Sequence, residues 1–288
     1  MSEGVLHLFD LLTWRLARAL PGMRPGGHRG TLRGAGETFA DLAPLIAHPD
    51  PRRIDVRRSL LDPFGTTFVR RFETRTDLTL HVLLDASASL GTGASSDRLG
   101  LAALLAAGFA EAAWRGGDWY ALTATAGEDV VDEIQPARRR QLGAELLERI
   151  GALRPGGEGV VGLERAAMAL PASRILVVLI SDFEYSADEL RRILAALEPR
   201  PVLPIWLRDG GLEAPAGRLG VAEIRDPESG MRRTVLTTRK WAAQQAQAAA
   251  RHRARLRSTF AEHDLAPIEI RDQLDVGALA AALEEVPL

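Results

Sequence analysis

Several residue types and patterns are missing from this chain, and each absence excludes a class of protein. Its 288 residues contain no cysteine, which excludes disulfide bonds, thiolate catalysis and zinc–sulfur sites. No stretch reaches the ~18 consecutive apolar residues that a membrane-spanning helix needs. The formal net charge is −2, so no strong overall field would attract nucleic acid. We therefore expect a soluble, cytoplasmic protein with no membrane span and no nucleic-acid partner.

The first residues form an amphipathic segment rather than a targeting signal. Residues 5–16 place apolar side chains at helical spacing. They lack the basic-then-apolar order and the cleavage site of a signal peptide. We predict a helix that docks on the domain. The alternative is a helix that binds a membrane surface or a partner, because Arg15 and Arg18 follow the apolar stretch.

The hydropathy pattern divides the rest of the chain into an extension and a domain. Residues 20–37 are rich in Gly, Pro and Arg, which predicts a loop, and residues 38–47 are predicted as a short helix. Residues 48–58 are rich in turn formers and charges. We assign residues 1–65 to an N-terminal extension and residues 66–288 to the domain.

Strand and helix patterns alternate through the predicted domain. Predicted strands cover residues 66–73, 77–84, 119–124, 130–134, 175–180, 201–207, 221–225, 232–236 and 267–270, and predicted helices cover residues 97–114, 138–150, 161–170, 186–197, 239–262 and 277–284. The strands at 78–84 and 175–180 are continuous apolar runs, which is typical of strands buried on both faces. The alternation predicts an α/β fold, namely a three-layer, Rossmann-like domain with a mainly parallel sheet, plus the N-terminal extension.

Acidic and hydroxyl side chains follow the two buried strands. The first strand continues into Asp85-Ala86-Ser87-Ala88-Ser89, and the second continues into Ser181-Asp182. Parallel sheets bind ligands at the carboxyl ends of their strands, so Asp85 and Asp182 are expected on one rim. Carboxylate and hydroxyl oxygens suit Mg²⁺ or Mn²⁺ rather than metals that prefer nitrogen or sulfur. The pattern predicts a divalent-cation site at Asp85, Ser87, Ser89 and Asp182, with positions left for water and a partner's carboxylate.

The same residues resemble a known metal site. The stretch 85–89 is similar to the D-x-S-x-S signature of the metal-ion-dependent adhesion site in von Willebrand factor A domains, and Asp182 resembles the second aspartate of that site. More narrowly, the chain resembles the bacterial A-domain proteins encoded beside MoxR-type AAA+ ATPases. Three further stretches carry this resemblance: Gly34-Ala35-Gly36-Glu37-Thr38-Phe39, Asp50-Pro51-Arg52-Arg53-Ile54-Asp55-Val56 and Asp226-Pro227-Glu228-Ser229-Gly230. The resemblance implies an A-type fold and partner binding without catalysis.

One loop departs from the pattern of that family. Family members usually place a metal-ligating Thr in this loop, whereas the chain has Gly156-Gly157-Glu158-Gly159. Glu158 could ligate the cation directly, or the site could have lost its metal and left a structural scaffold.

The chain also resembles one branch of the family, the proteins encoded in methanol-oxidation gene clusters. That resemblance implies a role, together with the ATPase, in maturing methanol dehydrogenase or inserting its metal.

Simpler interpretations of the candidate ligands stay open. Asp85 and Asp182 could cap the helices that follow them. Ser87 could be the nucleophile of a serine hydrolase, although the chain lacks the G-x-S-x-G turn of such enzymes. His81, inside a buried strand, is predicted to be a core histidine rather than a ligand.

The charged part of the extension allows two interpretations. Asp50, Arg52, Arg53 and Asp55 either form local ion pairs in a solvated loop or bind a partner. We keep these four residues as candidate partner-binding residues. The sequence thus predicts a non-enzymatic adaptor for a MoxR-type AAA+ ATPase or its client. Mg²⁺ is the expected cation, with Mn²⁺ or Ca²⁺ as alternatives.

Overall fold

The computed structural model describes residues 29–75, 78–172, 174–215, 220–225 and 232–285. The amphipathic segment at 5–16 and the stretch 226–230, which carries part of the family resemblance, lie outside the described residues. The strands are β1 (Arg29–Pro44), β2 (Phe68–Arg75), β3 (Thr79–Asp85), β4 (Trp119–Ala126), β5 (Asp129–Ala137), β6 (Ile175–Ser181), β7 (Val202–Arg208), β8 (Gly220–Arg225), β9 (Arg232–Thr237) and β10 (Ile268–Arg271). The α-helices are α1 (Val56–Leu60), α2 (Arg98–Gly116), α3 (Leu142–Gly151), α4 (Val161–Ala169), α5 (Ala187–Leu197), α6 (Gly210–Glu213), α7 (Arg239–Glu262) and α8 (Val276–Glu285). Within these ranges, no helix combines the length and the apolar character needed to cross a membrane.

A six-stranded sheet forms the centre of the predicted domain. Its strand order is β10-β7-β6-β3-β4-β5, and every neighbouring pair is parallel except β4 with β5. The central strands β3 and β6 are neighbours, with Leu84 opposite Ile180. All seven residues of β6 are buried, as its continuous run of Ile, Leu and Val predicts. The predicted α/β fold with a mainly parallel sheet is therefore confirmed.

Helices cover both faces of this sheet and complete the three layers. Successive residues of a strand point to opposite faces, so Leu83 and Leu84 of β3 belong to different cores. One core packs the sheet against α2, α3 and α8, with Leu84, Phe109, Leu146 and Leu283 among its members. The other packs it against α4, α5 and α7, with Leu83, Leu163, Leu190 and Phe260 among its members.

The N-terminal extension differs from its prediction. Residues 29–44, predicted as the end of a loop and part of a short helix, form β1, which pairs antiparallel with β2. Arg33 and Thr38 are both aligned with Glu73, so residues 34–37 bulge out of the ladder. The prediction was wrong because this strand depends on hydrogen bonds from β2. Its own composition is rich in glycine, which disfavours strands.

The strand predicted at 66–73 is β2, but it lies in the two-stranded sheet with β1 rather than in the six-stranded sheet. The two-stranded sheet therefore joins residues from both sides of the boundary predicted after residue 65. The charged segment at 48–58 folds as a short 3-10 helix, Pro51–Arg53, followed by α1. The strands predicted at 221–225 and 232–236 are confirmed as β8 and β9, which pair antiparallel with Val221 opposite Leu236.

Candidate functional site

The two aspartates of the candidate site lie at neighbouring strand ends. Asp85 is the last residue of β3, and Asp182 directly follows β6. Because β3 and β6 are adjacent and parallel, both carboxylates lie on the same rim of the sheet. Both side chains are buried, as are those of Ser87 and Ser89. Four of the five predicted ligands are therefore brought to one place.

Hydrogen bonds join these four residues into one cluster. The backbone N–H of Ser87 donates to Oδ1 of Asp85 at 3.0 Å, and the hydroxyl of Ser181 donates to Oδ2 of Asp85 at 2.7 Å. The hydroxyl oxygens of Ser87 and Ser89 are 3.1 Å apart. Ser89 in turn donates to Oδ1 of Asp182 at 3.2 Å. The D-x-S-x-S stretch is thus linked to the second aspartate through its last serine.

Neither aspartate caps the helix that follows it. The N-cap of α2 is Asp97, and that of α5 is Ser186, whose capping box with Glu189 is complete. Ser87 precedes the short 3-10 helix Ala88–Gly91, but its side chain makes no capping hydrogen bond. The capping interpretation of Asp85 and Asp182 is therefore wrong.

A buried arginine that the sequence reasoning missed completes the cluster. Arg98 is the first residue of α2, and its Nη1 lies 2.8 Å from Oδ2 of Asp182. Its other nitrogens donate to the backbone oxygens of Ser89 and Thr92. A cation in the first turn of a helix opposes the helix dipole. That unfavourable position was the available signal for a special role of Arg98.

Burial makes the two carboxylates less acidic. Burial and the negative charge of Asp182 raise the pKa of Asp85 from 3.8 to about 6. Burial also raises the pKa of Asp182, although the positive charge of Arg98 opposes this change. Two neighbouring buried carboxylates are electrostatically unfavourable when both are ionised. A bound cation would offset that unfavourable free energy.

The chain after Asp182 is clamped into an unusual conformation. Phe183 has a φ of 50°, in the left-handed region that residues with side chains seldom adopt. The indole N–H of Trp206 donates to the backbone oxygen of Asp182 at 2.8 Å. Nε2 of His252 in α7 lies 3.0 Å from the backbone oxygen of Phe183. The Phe183 ring packs edge-on against Tyr185, Trp206 and Phe260. These contacts fix Asp182 at the rim.

A second acidic pair holds the loop that leads into Arg98. Asp209, which directly follows β7, accepts hydrogen bonds from the backbone N–H groups of residues 94–96. Burial alone would raise the pKa of Asp209. The hydrogen bonds to its carboxylate outweigh that effect and hold its pKa well below the usual range. Asp272 accepts from the hydroxyl of Ser95 and from the backbone N–H of Gly210. This loop therefore places α2, and with it Arg98, against the cluster.

The donor set of the cluster fits a small divalent cation in type but not in number. Its oxygens come from two carboxylates and two hydroxyls, the ligands that Mg²⁺ and Ca²⁺ prefer. Oδ2 of Asp182 is buried and accepts no well-aligned hydrogen bond among the described residues, but it already faces the guanidinium of Arg98 at 2.8 Å. Among the same residues, no group of three or more His, Cys, Asp or Glu side chains could hold a metal. Water or an outside carboxylate would have to complete the coordination.

The comparisons with known proteins place the chain in a family. The family model named "Protein of unknown function DUF58" matches residues 50–255, a range that contains the whole cluster. The chain belongs to the DUF58 family. A relative from Paracoccus denitrificans, named "Uncharacterized protein in moxR 3'region", is 65% identical over 101 residues. That alignment covers 35% of the DUF58 chain and 96% of the relative.

Three solved structures are similar to the DUF58 chain at low identity. BatB from Bacteroides thetaiotaomicron is 15% identical with a TM-score of 0.40, over 73% of this chain and 97% of BatB. An aerotolerance-related membrane protein from Bacteroides fragilis is 14% identical with a TM-score of 0.38, over 73% and 98%. The pilus adhesin SpaC from Lactobacillus rhamnosus GG is 11% identical with a TM-score of 0.36, over 72% and 30%. At TM-scores of this size, none of them bears on the function of this chain.

The fifth predicted ligand, Glu158, lies on a neighbouring loop. The backbone N–H of Gly156 donates to the backbone oxygen of Ala86 at 3.1 Å, so this loop lies against the D-x-S-x-S stretch. Glu158 itself is exposed, and among the described residues no hydrogen bond or ion pair joins its side chain to the cluster. Its role as a ligand stays a prediction.

The candidate partner-binding residues of the extension make local contacts. Asp50 accepts a hydrogen bond from the backbone N–H of Arg52 and pairs with Arg53 at 3.4 Å. Asp55 caps α1 and pairs with Nε of Arg70 at 2.8 Å. These contacts are the local ion pairs of the first interpretation. Partner binding by the four residues stays a prediction.

His81 is a satisfied core residue, as predicted. It lies in β3, and its Nε2 is 2.9 Å from the hydroxyl oxygen of Thr123. Burial lowers the pKa of His81 from 6.5 to about 4, so the ring is neutral at physiological pH.

Proposed function

We propose that this DUF58 protein is a non-enzymatic adaptor of the von Willebrand factor A type, which captures an acidic group of a partner through a bound divalent cation. One observation carries the proposal: Asp85, Ser87, Ser89 and Asp182 form a single buried cluster at the carboxyl edge of a parallel sheet. Oxygen ligands of this kind and number leave coordination positions for water and for a carboxylate from outside.

The chemistry of the cluster supports Mg²⁺ as the cation and binding as the role. Mg²⁺ keeps several of its waters and binds proteins through one or two carboxylates, which matches the two aspartates. The hydroxyl of Ser87 lies beside that of Ser89 and the carboxylate of Asp85, and among the described residues no histidine is hydrogen-bonded to it. A serine without a histidine base beside it lacks the usual activation of a hydrolase nucleophile.

The relative from Paracoccus denitrificans supports a MoxR-type AAA+ ATPase as the partner. Its name places it in a region 3′ of moxR, and proteins encoded side by side often work together. We extend the proposal to a cytoplasmic role with that ATPase in maturing a client enzyme. Methanol dehydrogenase, through insertion of its metal, is the client that the sequence resemblance suggests.

Calorimetric titration tests the cation site directly. Mg²⁺, Mn²⁺ and Ca²⁺ are titrated into the purified protein, into Asp85→Ala, and into Glu148→Ala as a control on an exposed carboxylate of α3. We expect the wild type and Glu148→Ala to bind the cation and Asp85→Ala to lose binding. A purified MoxR-type ATPase should then bind the wild type only when the cation is present. Absence of cation binding in the wild type, both with and without acetate as an outside carboxylate, would contradict the proposal.

A specific observation favours a second candidate function, a scaffold that needs no metal. Large apolar side chains are strongly exposed in one short part of the extension: Ile46 at 97%, Val56 at 63%, Leu60 at 81%, Leu61 at 67% and Phe64 at 90%. Val56 and Leu60 are four residues apart in α1, so they share a face. Exposed apolar patches of this kind mark interaction sites in soluble proteins.

The charges around this apolar patch suggest an acidic partner surface. Asp50 and Asp55 are engaged by neighbouring groups of the extension, and Asp62 accepts a hydrogen bond from Thr66. Arg52 and Arg57 remain exposed beside the patch. The extension therefore presents apolar surface with a positively charged rim.

The two candidate functions differ in their dependence on metal. A scaffold should bind the ATPase equally well in EDTA, and the double substitution Leu60→Ser with Phe64→Ser should abolish that binding. Met168→Ser, at an exposed apolar residue of α4, is the matched control and should bind normally. Binding that is lost in EDTA but unaffected by the double substitution would favour the cation-dependent adaptor.

A further inference from the structure

A buried arginine shares the candidate cation site with the two aspartates. The side chain of Arg98 is 2% exposed and that of Asp182 is 1% exposed, with 2.8 Å between Nη1 and Oδ2. Arginine is almost never fully buried unless it is paired. As the first residue of α2, Arg98 also opposes the helix dipole. Its placement is unfavourable unless the cluster needs its charge.

The loop that carries the serine ligands also holds the guanidinium. Nη2 of Arg98 donates to the backbone oxygens of Ser89 and Thr92, and Nε donates to that of Thr92 at 3.1 Å. The hydroxyl of Thr92 donates to the backbone oxygen of Ser89 at 2.8 Å. The guanidinium is therefore fixed in the cluster and does not swing out to solvent without disturbing the loop.

The net charge of the cluster indicates what the arginine does. With both aspartates ionised, Asp85, Asp182 and Arg98 together carry a single negative charge. A bound divalent cation would give the centre a single positive charge. Without the arginine, the same cation and the two aspartates would be neutral. A positive centre attracts a carboxylate from outside more strongly than a neutral centre does.

We propose that Arg98 is a built-in counter-ion that weakens divalent-cation binding at the Asp85–Asp182 cluster and makes the bound cation attractive to a partner's carboxylate. This inference rests on the proposed function. Because Arg98 already neutralises Asp182, the protein folds without metal. The cation is held firmly only when an outside carboxylate completes the centre, so cation and partner bind together.

Two substitutions separate the charge of Arg98 from its hydrogen bonds. Arg98→Gln removes the charge and keeps hydrogen-bond donors, whereas Arg98→Lys keeps the charge and loses the planar fork. A unit charge about 6 Å from a divalent ion changes its affinity about tenfold even with the dielectric constant of water. We therefore expect Arg98→Gln to bind Mg²⁺ at least about tenfold more tightly than the wild type in calorimetry. Arg98→Lys should stay close to the wild type.

Acetate serves as the probe for the second half of the proposal. It should tighten Mg²⁺ binding to the wild type, where the loaded centre is positive, by clearly more than it tightens Mg²⁺ binding to Arg98→Gln. Asp85→Ala is the control for binding elsewhere, since it should bind no Mg²⁺ with or without acetate. Acetate enhancement of equal size in the wild type and in Arg98→Gln would overturn this half of the proposal.

The effect of Mg²⁺ on thermal unfolding can be measured even if Arg98→Gln is poorly folded without the cation. Arg98→Gln leaves Asp182 buried without its counter-charge, so its Tm should fall in EDTA. Mg²⁺ should raise that Tm by more than it raises the Tm of the wild type. If the variant is unfolded in EDTA, Mg²⁺ should restore the fold. Failure of Mg²⁺ to rescue it would overturn the proposal.

The remaining outcomes distinguish this inference from the proposed function. Equal Mg²⁺ affinity in the wild type and Arg98→Gln, lost in Asp85→Ala, would overturn the role of Arg98 and leave the cation site intact. Binding by Arg98→Gln alone would support the counter-ion and contradict cation-dependent function in the wild type. Absence of binding in both would overturn both. Weakened binding in both Arg98 variants would assign the effect to hydrogen bonds and overturn the counter-ion.

Discussion

Replacing Asp85 by asparagine should stabilise the cation-free protein at neutral pH. Burial and the charge of Asp182 raise the pKa of Asp85 from 3.8 to about 6 in the folded protein. The unfolded chain regains the ordinary value, so the folded state binds the proton more tightly. Stability contributed by the protonated form is therefore lost as the pH rises from 3.8 to about 6. Asparagine cannot ionise and does not suffer this loss.

The magnitude follows from the two pKa values and the hydrogen bonds. Each pH unit between them is worth about 1.4 kcal/mol, so the ionised Asp85 costs about 3 kcal/mol at neutral pH. The asparagine oxygen can still accept from the backbone N–H of Ser87, but the hydroxyl of Ser181 must turn. That rearrangement costs about 1 kcal/mol. We expect a net gain of about 2 kcal/mol at neutral pH, and no gain below pH 3.8, where the carboxyl is protonated in both states.

Urea unfolding in EDTA, from acidic to neutral pH, measures this effect. The difference between variant and wild type at each pH removes the contributions of other groups. Added Mg²⁺ should reverse the order, because it stabilises only the protein that binds it. A difference that does not change with pH, or an Asp85→Asn variant that is less stable than the wild type at neutral pH, would refute the reasoning.

Three further substitutions test the surroundings of the site. Because burial holds the pKa of His81 at about 4 in the folded protein, the wild type should lose stability as the pH falls from 6.5 towards 4. His81→Gln should lose less stability over the same range in urea unfolding, and an equal loss would contradict this. Asp209→Ala removes the acceptor of several backbone N–H groups and should cost about 3 kcal/mol, with faster amide hydrogen exchange at residues 94–96. Unchanged exchange there would count against that role. Phe183→Ala should lower the free energy of unfolding by about 3–5 kcal/mol, since its ring is fully buried; a loss of less than about 1 kcal/mol would mean that the aromatic contacts matter little.

Local sequence patterns predicted the central sheet but not the extension. The apolar runs of β3 and β6 are long and bounded, so their burial could be inferred from composition alone. β1 could not, because it is defined by its pairing with β2, and its sequence contains the glycines of residues 34–37 that bulge from the ladder. The prediction of a loop and a helix there followed local propensity, which tertiary pairing overrode.

The candidate site also contains residues that the sequence predicted and residues that it did not. Asp85, Ser87 and Ser89 are close together in the sequence, and Asp182 ends the neighbouring strand, so their meeting follows from the fold class. Arg98 was missed because its ion pair joins residues far apart in the chain. The sequence did contain one local indication: an arginine occupies the first turn of a predicted helix, where the helix dipole disfavours a positive charge. The sequence also gave no indication that Asp209 would anchor the loop before α2.

The location of a bound cation tests the central claim most directly. Crystals soaked in Mn²⁺, with anomalous diffraction recorded, would reveal the ion as a single strong peak. The account predicts that peak between Asp85 and Asp182, about 2.0–2.2 Å from the hydroxyl oxygens of Ser87 and Ser89, and its disappearance in Asp85→Ala. Absence of a peak at the cluster, in crystals where the rim is open to solvent, would contradict the account.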